Sequence, residues 1–475
     1  MRKLLLKLSI LSISLLTVMS SAAISPTLAK IKQAFIDTEI TVVKLVLTLP
    51  SLFIIPSSLL AGWLVGRIKK KNVLLIGLLI YFFAGIAGGF ASNIKQLLFM
   101  RAVFGVGAGL IIPLSTSLIA DFFEKEERTK MMGYSGSVSH FGGVIFLLIS
   151  GWLAVLNWRY AFYVCGLALI SFLMILFWLP DTPTKPIPKQ YQYSKLGLPF
   201  GVYICAVLGV LMMIAFYAAP TNLAMFIESE RKMYTSTTPL FQNKEELSMH
   251  LERGTVSDTL RESFRKNGIN LSLKAKLELV EPRQAWSITD RNIKYIVKKE
   301  KDTLVIYRER LARPGIAGYL LSTMTMVGVV IGFILAPLMR LFRSFFATVS
   351  IVSMAIGYGL LGVADTLGVV FLGLVFIGFS SGVLMPLLLL RVAKITPEPL
   401  RAMAMAVLSI GIYLGQFISP VFLKIISFFA IFGQDPFRQQ FNFLAVGLGI
   451  AALVSFMISL KRKESGLEDK VFVSH

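Results

Sequence analysis

Acidic side chains are scarce, with 26 Asp and Glu against 48 Lys and Arg in 475 residues. Thirteen of the acids crowd between Glu228 and Arg313, so the rest of the chain has few carboxylates to place. Asp37, Glu39, Asp121 and Asp365 all fall near the ends of apolar runs, and none falls in the middle of one. Three histidines and two cysteines are too few to build a zinc site. Cys165 and Cys205 both lie in apolar stretches, which leaves no disulfide framework. There is no glycine-rich phosphate loop ending in Lys-Ser/Thr, and no nucleophile stands at a recognisable spacing from a base. No catalytic residue, metal or cofactor is therefore expected, and the chain does not read as an enzyme.

Apolar residues are plentiful. They make up 55% of the chain, charged residues make up 16%, and the mean hydropathy is +0.73. No ordinary soluble domain hides that composition from water. Runs of about 20 apolar residues, enough to cross roughly 30 Å of hydrocarbon, start near residues 4, 42, 73, 97, 131, 160, 199, 314, 345, 367, 402 and 440. These predict twelve spans. The first, with Arg2, Lys3 and Lys7 ahead of it, has the look of a secretory signal. It is counted as a span because six are needed before Pro180 to match the second half.

The net charge of +22 would suggest nucleic acid in a soluble chain, but here its placement orients the spans. With the N-terminus inside, 22 Lys/Arg fall on the inner side and five in the short outer loops. The predicted setting is a cell membrane crossed many times, with both termini cytoplasmic. Nucleic acid is not an expected partner.

The chain also repeats itself. Gly105 to Gly142 recurs as Gly378 to Gly415 at a constant offset of 273 residues, carrying Gly109 onto Gly382, Pro113 onto Pro386, Arg128 onto Arg401 and Met132 onto Met405. A parallel repeat in a polytopic chain predicts two like halves, and substrate paths in transporters commonly run between such halves.

The expected organisation is an all-α membrane protein of twelve transmembrane helices in two six-helix bundles, interrupted by a small soluble α+β insertion between helices 7 and 8. The boundaries are 1–180 for the first bundle, 181–198 for a Pro-rich cytoplasmic linker and 199–227 for helix 7. They continue with 228–313 for an extracytoplasmic insertion, 314–460 for helices 8–12 and 461–475 for a cytoplasmic tail. Within the insertion, short helices are predicted at 243–253 and 257–266, a strand at 271–279, and a hairpin from strands at 292–298 and 303–307.

Gly62-Trp-Leu-Val-Gly66-Arg67-Ile-Lys-Lys-Lys-Asn72 lies at the junction of spans two and three, and Leu98-Phe-Met-Arg101-Ala-Val-Phe-Gly105-Val-Gly107 lies in span four. Together with Asn157-Trp158-Arg159 these resemble the major facilitator superfamily, in particular its twelve-span drug efflux branch. The resemblance spares only 228–313. It implies a cytoplasmic gate at Gly62, Arg67 and Asp121, with Arg67 holding Asp121, although Gly66 stands where the family signature has Asp and Lys69 where it has its second Gly. It also implies a substrate or coupling role for Arg101.

An ionised guanidinium in mid-span must find water or a partner, so Arg101 is expected to face a central cavity on the helix side shared with Gly105. The family's fifth-span signature is partial. Gly133, Gly142 and Gly151 are kept, but Phe146-Leu147 replaces its Gly-Pro and Ser150 its next Gly; small residues at this spacing favour helix packing. His140 is the one histidine inside a predicted span and titrates in the range that suits proton transfer.

The function expected is secondary transport by rocking of the bundles, exporting a lipophilic or amphipathic small molecule. Proton coupling is left open between His140, Asp37 or Glu39 and uncoupled movement. The rival expectations are translocation of a lipid or metabolite by the same fold, and a non-transporting sensor or scaffold acting through 228–313, whose partner is unassigned.

Overall fold

The structure is a computed structural model. It describes residues 2–65, 67–181, 198–229, 235–239, 258–266, 269, 271, 275–281, 285–290, 293–300, 303–310, 314–342, 345–397, 400–428 and 435–464. The expected helix at 243–253, nearly all of the Pro-rich linker and most of the C-terminal tail lie outside the described residues.

A chain in lipid must satisfy its backbone within each crossing, and the long apolar runs do so as helices. The first bundle contains α1 (Arg2–Ala22), α3 (Ile40–Val65), α4 (Lys70–Ala87), α5 (Ile94–Phe122), α6 (Lys125–Leu156) and α7 (Leu167–Trp178), the last led in by a 3₁₀ stretch at Trp158–Gly166. A short α2 (Leu28–Ala34) lies between α1 and α3. The second bundle begins with α8 (Phe200–Ser229). After the short α9 (Asp258–Lys266) of the insertion, it resumes with α10 (Pro314–Phe333), a short α11 (Leu335–Phe342), α12 (Phe346–Val363), α13 (Leu367–Ile395), α14 (Arg401–Ser427) and α15 (Pro436–Glu464). Among the described residues eleven helices are long and apolar enough to cross a membrane, and α1, apolar from Leu4 to Thr17, completes the twelve.

α1 is packed into the first bundle. Ile10 and Ile13 are buried, the Ser14 hydroxyl lies 2.7 Å from that of Ser135 on α6, and Tyr81 on α4 donates to the Leu16 carbonyl at 3.0 Å. The two halves start equivalent helices in the same way. The Asn93 side chain accepts from the Gln96 N–H to cap α5, and Thr366, at the same offset as the glycine repeat, accepts from the Val369 N–H to cap α13.

Both halves also close the end of an equivalent helix with an arginine. Arg159 donates to the carbonyls of Gly89 and Ala91 beyond α4, and Arg438 to those of Gly362 in the last turn of α12 and of Ala364 just after it. Last-turn carbonyls have no intrahelical partner, and a guanidinium fork satisfies two at once.

Residues Met225–Arg313 form a second compact unit. Its five strands, β1 (Thr235–Pro239), β2 (Lys276–Glu281), β3 (Ala285–Asp290), β4 (Ile293–Glu300) and β5 (Thr303–Arg310), make an antiparallel sheet in the order β1-β5-β4-β3-β2. Alternation puts Trp286 and Ile288 on one face of β3, in register with Val297 and Tyr295 of β4, and these four bury with Phe264 of α9 and Ile269. The hairpin β4–β5 and the helix α9 fall where the sequence pattern put them. The strands β1 and β3 were not foreseen.

Candidate functional site

The halves of the membrane domain meet along two helix pairs, α3 with α14 and α6 with α10. The end of the bundle that carries the α1–α3 connection is called here the loop end, and the opposite one, where Arg67, Asp121 and Asp181 lie, the linker end.

At the loop end the seam is shut. The Ser25 hydroxyl donates to the Pro220 carbonyl at 2.5 Å, and Lys424 of α14 pairs with Glu39 at 2.6 Å. That ammonium hydrogen-bonds the Glu39 carboxyl and holds it below the usual carboxylate range. On α6 and α10 the backbones themselves touch. A Cβ on Gly318 would stand 2.5 Å from the Leu147 carbonyl and 3.2 Å from the Gly151 Cα.

A polar stripe on α3 continues the closed seam inward. Lys44, Thr48 and Ser51 are spaced i, i+4, i+7 and share one face. Ser51 donates to the Gln416 side chain of α14 at 2.8 Å, and the Lys44 ammonium sits 5.3 Å from the centre of the Phe437 ring of α15. Thr48, between them, is fully buried, and its hydroxyl has no hydrogen-bond partner among the described residues. Lys44 is only 3% exposed and meets no carboxylate among the described residues. A desolvated cation–π contact returns about 2 kcal/mol, less than the roughly 2.5–3.5 kcal/mol that a buried lysine costs in a span. Sequence reasoning missed Lys44 because it lies two residues inside the predicted start of its span, where a lysine reads as an interfacial anchor.

Toward the linker end the same helix faces are bare. Gly62 follows Ser51 by three turns of α3; Gly133, Gly136 and His140 precede Leu147 on its face of α6; Gly332 follows Gly318 by four turns of α10. No described neighbour comes within 4 Å of a Cβ built on any of these four glycines, and His140 is exposed with no hydrogen-bond partner among the described residues. Gly62, expected in a gate, and Gly133, expected at a packing contact, thus have open space at their Cβ positions among the described residues. Gly142 is packed, its Cβ position filled by Leu15 of α1, and Gly151 is packed against Gly318.

Asp121 is held by Lys70 at 2.5 Å, and not by Arg67. Arg67 lies in the turn after α3 and stacks on Trp63 one turn back, 3.4 Å from the ring centre. Lys70 is at the start of α4, which packs along α5, and is therefore the cation within reach; it also donates to Ser117. Its neighbours bind in the same manner: Lys69 pairs with Asp181 at 2.5 Å, which keeps that carboxyl below its usual range, and Lys71 donates to the Leu179 carbonyl.

Arg101 and Gly105 do share a face of α5, and that face lies against α3. Arg101 is 1% exposed, its Nε donates to the Val46 carbonyl at 2.8 Å, and its guanidinium lies 4.5 Å from the Phe104 ring centre. Val46 is four residues before Pro50. Proline has no N–H to close that turn and its ring crowds the carbonyl concerned, so Arg101 supplies the donor that Pro50 withholds. Gly105 makes room beside it, since a Cβ there would stand 2.5 Å from the Pro50 carbonyl. Arg101 is turned to the Pro50 turn of α3 and not to open space between the halves.

A profile of the family described as Major Facilitator Superfamily matches residues 10–258 and 303–472, and the gap between the two stretches falls inside the inserted unit. Multidrug transporter protein MdtP of Bacillus subtilis (strain 168) is 32% identical over 106 residues, which cover 22% of this chain and 20% of that protein. Quinolone resistance protein NorA of Staphylococcus aureus (strain Mu50 / ATCC 700699) is 28% identical over 132 residues, covering 28% and 34%. The chain thus spans between a fifth and a third of the length of these curated relatives. Among solved structures, nucleoside transporter NupG superposes with a TM-score of 0.65 at 13% identity, covering 96% of this chain and 99% of that one. A D-xylose-proton symporter superposes with a TM-score of 0.62 at 15% identity, covering 96% and 97%. At these identities the likeness is one of fold.

Proposed function

The chain belongs to the major facilitator superfamily, and on that premise we propose that it is a secondary transporter exporting hydrophobic or amphipathic small molecules by alternating access. The observation that carries the reading is the uneven seam. Two bundles that touch backbone to backbone at the loop end leave four glycines bare on the same faces at the linker end, as required of halves that rock about a central point. The excess of Lys and Arg at the linker end makes that end cytoplasmic. The conformation is then inward-facing, with both termini inside.

His140 on the bare part of α6 is the group positioned to exchange protons with the cytoplasmic side, and it is the coupling residue in this reading. Efflux is favoured by the relatives, a multidrug transporter protein in MdtP and a quinolone resistance protein in NorA. The test is dye uptake into everted membrane vesicles under an imposed proton gradient, with fluorescent phospholipid in parallel. Accumulation of lipophilic dye by vesicles holding the wild-type chain, lost in His140→Ala, is the expected result. Movement of phospholipid alone would make the protein a lipid translocator, and movement of neither by folded protein would end the transport reading.

A further inference from the structure

We propose that Lys44 and Thr48 form an anion subsite at the exit end of the transport path, so that the substrate is an amphiphile with an acidic head, a carboxylate, sulfonate or phosphate on an apolar body. The inference rests on the transport reading above and names the substrate class for it.

Among the buried residues of the described membrane domain, Lys44 and Arg101 are the only ones drawn from Asp, Glu, Lys and Arg, and both are cationic. Arg101 is committed to the Val46 carbonyl. Lys44 has a ring face and no carboxylate among the described residues. Charged groups on the elements packed around it are engaged elsewhere, Glu39, just before α3, with Lys424 of α14, and on α15 Arg438 with Asp365 and backbone carbonyls; Asp37, also before α3, makes no ion pair with Lys44. The Asp435 carboxylate accepts the N–H groups of Phe437 and Arg438. One turn along α3, the Thr48 hydroxyl is buried with no hydrogen-bond partner among the described residues.

A helix face that buries an ammonium without a counter-ion and a hydroxyl without a partner leaves two donors unused. Both are directed at the seam, because their neighbours on the same face, Ser51 and Lys44 itself, contact α14 and α15. Rocking of the halves lifts Phe437 off Lys44 and opens this pair to the exit. An acidic head group satisfies both donors there, and the apolar seam takes its body. A cationic drug meets like charge and no acceptor carboxylate.

The test is equilibrium binding to the full-length protein in detergent, using three probes with one apolar body: pyrenebutyrate, pyrenebutanol and a pyrenebutyl trimethylammonium salt. Wild type is expected to bind the carboxylate about tenfold more tightly than either of the others. Lys44→Met should remove that preference while leaving the alcohol unchanged, and Lys44→Arg should keep it. Thr48→Val should weaken the carboxylate severalfold with an unchanged or higher melting temperature, whereas a purely structural hydroxyl would leave binding alone. Equal affinity for the three probes in folded wild type, or a preference that survives Lys44→Met, overturns the proposal. Displacement of pyrenebutyrate by dioctanoyl phosphatidylglycerol assigns the head group to a lipid, and its failure assigns it to a free amphiphile. If the charge preference holds but liposomes move none of the probes, it is the export reading that fails and not the anion subsite.

Discussion

Where α5 crosses α3, Gly105 lies on the Pro50 carbonyl and Gly109 on that of Ile54; where α13 crosses α10, Gly378 lies on the Met324 carbonyl and Gly382 on that of Gly328. The crossing is the same and its chemistry is not. Met324 occupies the place of Pro50, and Leu374 that of Arg101 at the repeat offset. The half with the proline carries the buried arginine, and the half without it carries leucine. A mid-span charge thus follows a missing backbone donor, which explains why the duplicated halves differ at this position without calling on a ligand.

The largest effect should come from making the first half resemble the second. Arg101→Leu leaves the Val46 carbonyl buried and unbonded, at a cost of roughly 1–3 kcal/mol, and should lower the thermal unfolding midpoint together with transport. Adding Pro50→Met restores an N–H to the turn and should recover most of the stability, a coupling that a double-mutant cycle measures. Leu374→Arg in the second half has no vacant carbonyl to fill and should destabilise. If Arg101→Leu lowers transport at unchanged stability, and Pro50→Met gives no rescue, the guanidinium serves a ligand after all.

A smaller effect is expected at Asp121, whose counterpart in the second half is Lys394. The pair with Lys70 is partly exposed and is worth less than about 1 kcal/mol. Asp121→Asn should therefore leave folding intact and shift the conformational balance, read as altered maleimide labelling of a cysteine placed at Ser25. Arg67→Ala should not reproduce the shift, and an equal effect of both would restore Arg67 as the partner.

The smallest effect concerns the tie between the halves. Because Lys424 holds the Glu39 carboxyl below its usual range, its contribution to loop-end closure is present above the ordinary glutamate value and fades as pH falls below about 4.3. Acidification should raise labelling of a cysteine at Ser25 in wild type, and Glu39→Gln should flatten that pH dependence. Identical pH profiles would mean that the pair closes nothing.

Much of this was legible in the sequence. The glycine register of α5 and α13 stands at one offset, and glycines that let helices touch cannot drift without breaking the contact, so the two-fold plan was visible. Arg159 and Arg438 do the same work but are not related by that offset, because the connections before them differ in length, and an offset search passes over them. Lys70 displaced Arg67 at Asp121 because sequence order does not reveal which side of a turn packs on α5. The stripe Lys44, Thr48, Ser51 has helical spacing, yet the same spacing runs on to Ser58, which donates to the Gly109 carbonyl of α5, and only the position of α14 and α15 shows which part of the stripe meets the other half. Arg101 was recognised as costly, but its creditor, a proline on another helix, is a tertiary relation.

The four bare glycines have a consequence for how this protein tolerates change. A methyl group added at Gly62, Gly133, Gly136 or Gly332 meets nothing in the conformation described, so a melting curve recorded in that conformation would not register it. If the halves rock as proposed, these faces close in the opposite conformation, and that conformation would be penalised in full. Variation at such sites is silent to selection for folding and audible only to selection for turnover, and a survey of abundance would pass over the very substitutions that stop the machine.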